Sequence, residues 1–292
     1  MDQADHKFMS LFRPNSWNRL KTWPASWWRR QEFAQLKMFV LFVGYPRTGH
    51  SLVGSLLNAH RHGIIAHELN VMHYVRRRFT REQICWILQQ KDKAFEELGR
   101  RWTDYDYRVP GQWQGRCETL QFIGDKHANG ASKLIAQHPG LIDVLQDRMQ
   151  VPVRLVHIVR HPLDTISTMA RRNIYGKSLT ESAREYLRLC DTNEQLCSEH
   201  ASSLFTLHLE DLIAQPLLAF SRLTRFLGLE TDQEYLDACC SIVRGRESRT
   251  RNLVEWPNWV RMELARRRDA YAFLQPYGDL LQPANIGLAR AA

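Results

Sequence analysis

One stretch of eighteen residues constrains this chain more than anything else in it. The apolar run Val40-Leu41-Phe42-Val43 passes straight into Gly44-Tyr45-Pro46-Arg47-Thr48-Gly49-His50-Ser51, and Leu52, Val53, Leu56 and Leu57 follow at helical spacing. A short apolar run closed by a glycine turn reads as a buried strand, here Met38 to Val43. A glycine-bearing turn between strand and helix offers backbone N–H groups to an anion, and the helix start adds partial positive charge. The spacing is GxxxxG followed by His-Ser, a phosphate-cradling pattern with histidine in the place of lysine. Histidine is mostly neutral at pH 7 and shorter than lysine, so the cation of the turn is Arg47. A turn that merely joins a strand to a helix remains the plainer alternative.

Beyond this point short β-rich runs alternate with helical patterns. Strands are expected over Gly63–His67, Leu120–Ile123, Val153–Val159 and Ser203–His208. Helices are expected over Ser51–Ala59, Thr80–Leu98, Ala131–Gln137, Leu163–Arg171, Ser178–Glu199 and Pro216–Leu227. Strands separated by helices predict an α/β fold, a three-layer sandwich with a central, mostly parallel sheet. Ligands in such folds sit beyond the carboxyl ends of the strands, so the residues just after each strand matter most. After Val153–Val159 comes Arg160-His161-Pro162-Leu163-Asp164, where Pro162 suits a first helical turn and leaves Arg160 in the loop before it. Arg160 at a strand end, with hydroxyls nearby, suits a phosphate monoester. A surface arginine paired with Asp164 is the alternative.

The charge is localised. The formal net charge is +9, and residues 1–37 supply +4 while residues 244–268, with eight arginines, supply +5. The body between is close to neutral, which argues for a compact anionic ligand and against nucleic acid as the partner. No run approaches the length a membrane span needs, and no secretory signal is evident. The six cysteines contain no CxxC pair, so neither a zinc site nor a disulfide framework is expected, and reduced thiols point to a cytoplasmic protein. The organisation expected is a basic, aromatic extension over 1–37, Trp-rich from Trp17 to Trp28, and one domain over 38–292 with a basic segment from about 244.

Taken together, the two turns resemble the sulfotransferases that use 3′-phosphoadenosine-5′-phosphosulfate (PAPS) as donor. Their 5′-phosphosulfate motif, P-[KR]-[ST]-G-[ST]-[ST], is matched by Pro46-Arg47-Thr48-Gly49-His50-Ser51 at all but the fifth place. Their 3′-phosphate motif, R-[ND]-P-x-D with a serine eight residues after the arginine, is similar to Arg160-His161-Pro162-Leu163-Asp164 with Ser167-Thr168 following. Gly124-Asp125-Lys126 and the stretch from Leu209-Glu210-Asp211-Leu212 to Phe226-Leu227-Gly228-Leu229 look like further landmarks, in order. The resemblance implies a P-loop NTPase-like fold and transfer of a sulfuryl group to a hydroxyl or amine of a sugar, lipid or small molecule. It places Arg47, Thr48, Gly49, His50, Ser51 and Leu52 at the phosphosulfate, and Arg160, Ser167 and Thr168 at the 3′-phosphate.

The resemblance also implies a base after the second strand, where Glu68 is the candidate and His67 the second choice; a structural ion pair and a core histidine are the bland readings. Lys126 would orient donor sulfate or acceptor. Sulfuryl carries one fewer negative charge than phosphoryl, so its transfer needs no metal, and none is expected; Arg47 and backbone amides would stabilise the bridging oxygen. Arg249 and Arg251, in the segment with Arg244, Arg246, Ser248 and Thr250, would reach the nucleotide, and Trp256 would cover it. Trp102, Tyr105, Tyr107 and Trp113 offer aromatic platforms for an acceptor, and Val75-Arg76-Arg77-Arg78 an attraction for an acidic one; packing and solvation explain them equally well. A P-loop kinase of nucleotides or small molecules, or a non-catalytic binding protein on the same scaffold, are the competing readings.

Overall fold

A computed structural model describes residues 14–102, 105–172, 176–243 and 248–278 of the chain. Helix α1 (Ser16–Trp28) comes first, followed by β1 (Met38–Gly44), α2 (His50–Asn58), β2 (Gly63–Ala66), α3 (Met72–Arg76) and α4 (Arg81–Glu97). A small antiparallel pair, β3 (Arg101–Trp102) with β4 (Tyr105–Asp106), precedes β5 (Phe122–Asp125), α5 (Ala128–Gln137), α6 (Leu141–Met149) and β6 (Val153–Val159). The chain continues through α7 (Pro162–Arg171), α8 (Leu179–Glu199), β7 (Leu204–His208), α9 (Leu209–Ala214), α10 (Pro216–Phe226), α11 (Gln233–Ser241) and α12 (Asn258–Ala270).

Five strands form one parallel sheet in the order β2-β5-β1-β6-β7. The central strand explains the apolar run. Phe39, Leu41 and Val43 point into one core cluster with residues of α3 to α6, while Val40 and Phe42 point into another with residues of α2, α10 and α11. Side chains alternate along a strand, and helices on both faces bury both sets, so every position is apolar. The helix starts follow the local chemistry. Thr80 and Ser178 each form a reciprocal capping box, with Gln83 and Glu181, and Pro162 occupies the first turn of α7.

All five strands expected from the sequence form the sheet, and each expected helix has its counterpart. The difference lies at β5, which starts two residues late and runs through Gly124-Asp125: both pair in the sheet, Gly124 beside Val40 and Asp125 beside Leu41. The short α3 and α9, and α6, α11 and α12, were not anticipated. At the amino end α1 lies on α4, where the Gln83 side-chain amide donates to the Arg19 carbonyl (2.5 Å) and to Thr22 Oγ1 (3.0 Å). Phe33 and Leu36 enter the core. At the other end Arg267 of α12 donates two hydrogen bonds to Asp191 of α8, at 2.9 and 3.1 Å. All six cysteines are free, and no described helix is long and apolar enough to cross a membrane.

The topology selects the place to look. After β1 the chain goes to β2 on one side of the sheet, and after β6 it goes to β7 on the other, although β1 and β6 are neighbours. Adjacent strands whose connections diverge leave a crevice at their carboxyl ends. The two turns singled out above, at Arg47 and Arg160, flank this crevice.

Candidate active site

The first turn is built to leave amides open. Gly49 adopts φ +96° at the start of α2, and Arg47 is held in the left-handed region at φ +67°. Only at Val53, whose N–H donates to the Gly49 carbonyl at 3.1 Å, does helical pairing begin. From Arg47 to Leu52 no backbone N–H has a partner among the described residues. A run of unpaired amides at a helix start is an anion cradle by its own geometry. The turn is pinned from behind, where the Thr48 hydroxyl donates to the Tyr45 carbonyl (3.1 Å) and Ser132 Oγ accepts from the Gly44 N–H (2.9 Å).

His50, the departure from the motif, faces inward. Its imidazole packs against Phe42 and lies 3.3 Å from where a Cβ on Gly44 would sit. Burial, with the Lys126 ammonium nearby, pushes its pKa down to about 3, so the ring is neutral. What His50 presents at the turn is its backbone N–H, and the turn contains no lysine-like side chain.

An ammonium arrives instead from β5. Lys126 is buried, and its Nζ lies 2.6 Å from Ser51 Oγ and 2.6 Å from Glu68 Oε1. Glu68 Oε2 is 3.2 Å from His127 Nε2. Burial alone would raise the Glu68 pKa, but the ammonium of Lys126 beside it holds it well below the usual carboxylate range. Glu68 is therefore ionised, next to the cradle. Its loop is secured by Asp125, a buried carboxylate that accepts N–H groups from Leu69 (3.1 Å), Val71 (2.7 Å) and His127 (3.3 Å). Glu68, like Arg47, sits in the left-handed region, at φ +59°. Such backbone costs about 1–3 kcal/mol per residue and persists only where the surroundings enforce it. His67 is placed differently: it is buried, stacked on Phe95 at 3.8 Å with Trp102 edge-on at 5.1 Å, and desolvation keeps it neutral.

The second turn meets the first directly. Arg160 Nη1 donates to the Arg47 carbonyl (3.2 Å) and lies 3.4 Å from Thr168 Oγ1, while Nη2 donates to the Ser248 carbonyl (2.7 Å). Burial lowers the pKa of both Arg47 and Arg160, and among the described residues neither forms an ion pair. The pairing of Arg160 with Asp164 does not form; Asp164 instead accepts the Arg251 N–H (2.7 Å) and its guanidinium. Thr250 Oγ1 lies 3.0 Å from Thr168 Oγ1 and accepts from the Ser167 hydroxyl at 2.6 Å, so Ser167 stands buried behind Thr168. Arg251 is thus turned onto α7, Arg249 is exposed, and Trp256 Nε1 donates to the Arg251 carbonyl (2.8 Å). Arg244 and Arg246 lie outside the described residues.

Several contributors were not assigned a role from sequence. Leu209 and Glu210 brace both turns: a Cβ on Gly49 would stand 2.8 Å from Leu209 Cδ1, and Glu210 accepts the His161 N–H (2.8 Å) and the Tyr277 hydroxyl (2.8 Å). His127 and Asp125 flank Lys126 at the end of β5, and that adjacency was the available signal. Tyr105 and Tyr107, offered above as acceptor platforms, have rings 6.1 Å apart and lie near Arg160 and Arg47 respectively.

Fold and site define a parallel α/β protein with two arginine-bearing turns, one of them lined by open amides, and an ionised carboxylate at a topological switch point. The model of the sulfotransferase family matches residues 40–233, which span β1 to the start of α11, and the chain belongs to that family. No curated protein matches the sequence. Among solved structures, the chain is similar to sulfotransferase STF9 from Mycobacterium avium, at 9% identity over 93% of this chain and 92% of that one, TM-score 0.49. It is also similar to sulfotransferase STF1 from Mycobacterium tuberculosis H37Rv, at 14% identity over 85% and 82%, TM-score 0.47.

Proposed function

We propose that this sulfotransferase takes the sulfuryl group from PAPS and passes it to a hydroxyl or amine by in-line displacement. The observation that carries the reading is Lys126, whose ammonium touches both Ser51 at the cradle and Glu68 opposite it. That contact sets a candidate base beside the place where a phosphosulfate would lie. The open amides from Arg47 to Leu52, with Arg47 and Lys126, would hold the 5′ end and stabilise charge on the bridging oxygen. Arg160 and Thr168, with Thr250 and the Arg249–Arg251 segment around them, would take the 3′-phosphate, Arg160 exchanging carbonyl partners for phosphate oxygens.

Glu68 accepts the acceptor's proton as the acceptor oxygen or nitrogen bonds to sulfur. The bond from sulfur to the bridging oxygen breaks, and its electron pair stays on the 5′-phosphate. Paired with Lys126, Glu68 is weakened as a base, and an ammonium drawn toward the donor would release it. The test is turnover of labelled PAPS by the wild type and by Glu68→Gln, with calorimetry of adenosine 3′,5′-bisphosphate and of ATP–Mg²⁺. The expected result is bisphosphate binding, and a fall in turnover of roughly 10²–10⁴ in the variant. Near-wild-type turnover by the variant removes Glu68 from the role. Tight ATP–Mg²⁺ binding without bisphosphate binding would favour a kinase, which the inward-facing His50 does not support. Bisphosphate binding without any turnover would favour a binding protein.

A further inference from the structure

Helix α1 is amphipathic the wrong way round. Thr22 and Ser26, one turn apart, are 8% and 2% exposed and face the protein, where Thr22 meets Gln83. Leu20, Trp23, Trp27 and Trp28 are 69%, 56%, 51% and 84% exposed. At about 100° per residue these four fall within an arc of roughly 140°, centred nearly opposite Thr22 and Ser26. A helix on a globular body ordinarily turns its apolar stripe inward. Here the polar, small side packs and three indoles stand in water.

Cations rim this stripe. Arg19 and Lys21 border it on either side, Arg30 lies 4.2 Å over the Trp27 ring, and Arg29 and Lys37 are exposed nearby in sequence. Arg19 Nη1 also donates to the Arg77 carbonyl (3.3 Å), which joins α1 to the exposed run Arg76-Arg77-Arg78. From residue 14 to 37 the sole carboxylate is Glu32. A second copy of this chain is a poor occupant, because a two-fold contact through this face would set its arginines against one another. Indoles favour the boundary between water and acyl chains, and arginines favour lipid phosphates.

We propose that α1 and the Arg76–Arg78 turn form a docking surface for an anionic phospholipid bilayer. The indoles of Trp23, Trp27 and Trp28 enter the headgroup–acyl boundary, and the surrounding cations meet the lipid phosphates. Neither the donor nor the transfer step enters this argument.

The test is co-flotation of the full chain with vesicles of phosphatidylcholine alone and of phosphatidylcholine mixed with phosphatidylglycerol. The wild type should float with the anionic vesicles, stay behind with the neutral ones, and release as salt is raised. Trp23→Ser/Trp27→Ser/Trp28→Ser, with thermal midpoint unchanged, should lose at least about tenfold in partitioning. Lys21→Gln/Arg30→Gln/Arg76→Gln/Arg77→Gln should lose the preference for anionic lipid. The proposal is overturned if the wild type ignores anionic vesicles or if the tryptophan variant floats like it. It is equally overturned if light scattering finds a dimer that the tryptophan substitutions dissolve.

Discussion

Replacing Glu68 by glutamine removes the counter-charge of an ammonium that has almost no water around it. Lys126 is 3% exposed and its Nζ lies 2.6 Å from the Glu68 carboxylate. At an effective dielectric of about 20 this attraction is about 6 kcal/mol, most of it offsetting desolvation of the two charges. Deleting one partner of a buried pair generally costs about 3–5 kcal/mol, since the other charge stays buried alone. Glu68 is 22% exposed, so water can partly reach Lys126 from that side, and the low end, about 3 kcal/mol, is expected for Glu68→Gln. Lys126→Met should cost less, about 1–2 kcal/mol, because Glu68 keeps His127 and some water. The double variant buries neither charge and should lose less than the sum, with a coupling of about 2 kcal/mol. Urea unfolding of the four proteins measures this directly. A coupling below about 0.5 kcal/mol would mean the two groups are screened by solvent, and the picture of a shared ammonium would be wrong.

Gly49→Ala meets Leu209 Cδ1 at 2.8 Å and forces a Cβ onto φ +96°, so bisphosphate affinity should fall about tenfold or more by calorimetry. Adding Leu209→Ala should recover only part, because the backbone strain remains; wild-type affinity in Gly49→Ala would show the turn to be pliable. Glu210→Ala unties the His161 N–H and should raise the donor KM about tenfold with kcat little changed, and Tyr277→Phe should do the same more weakly. An equal fall in kcat would instead assign Glu210 to the chemistry. Burial lowers the pKa of His50 and His157 from 6.5 to about 3, so the folded state stays neutral where the unfolded chain takes up protons. That stabilisation is complete above pH 6.5 and is lost as pH falls toward about 3, so denaturant midpoints should decline steadily on acidification. A midpoint that does not move on acidification would show those rings to be hydrated.

Much of this was legible from sequence because two kinds of signal coincide. Strands β1 and β6 are covered on both faces, so burial writes itself as an uninterrupted apolar run. The turns after them carry glycine, proline and arginine at places where the backbone requires them. The end of β5 was misread for a related reason: Gly124-Asp125 has turn chemistry, yet pairing beside Val40 and Leu41 overrides that local preference. Helix α12 carries a run of arginines of which Arg267 finds its partner Asp191 on a distant helix. Within the candidate site, strand-end position pointed to Arg47 and Arg160, and the family resemblance to Glu68 and Lys126. The direction of His50 could not be read, since it depends on Gly44 leaving room beside the sheet. Nor could the loop-fastening role of Asp125, or the engagement of Asp164 with Arg251 over Arg160. Asp125 reaches Leu69 and Val71, and Asp164 reaches Arg251, each more than fifty positions away, and nothing in local patterning encodes such contacts.

Leu209 and Glu210 are joined by a single peptide bond, and each supports a different turn. Leu209 backs Gly49, and Glu210 holds the amide of His161. The separation of the two turns is thus held at the sheet edge by one residue pair, alongside the direct contact of Arg160 with the Arg47 carbonyl. It behaves as a caliper set across the two turns, just past the end of strand β7. Lengthening this junction by one residue should therefore shift one turn against the other, and with it the affinity for the proposed donor's bisphosphate product measured by calorimetry.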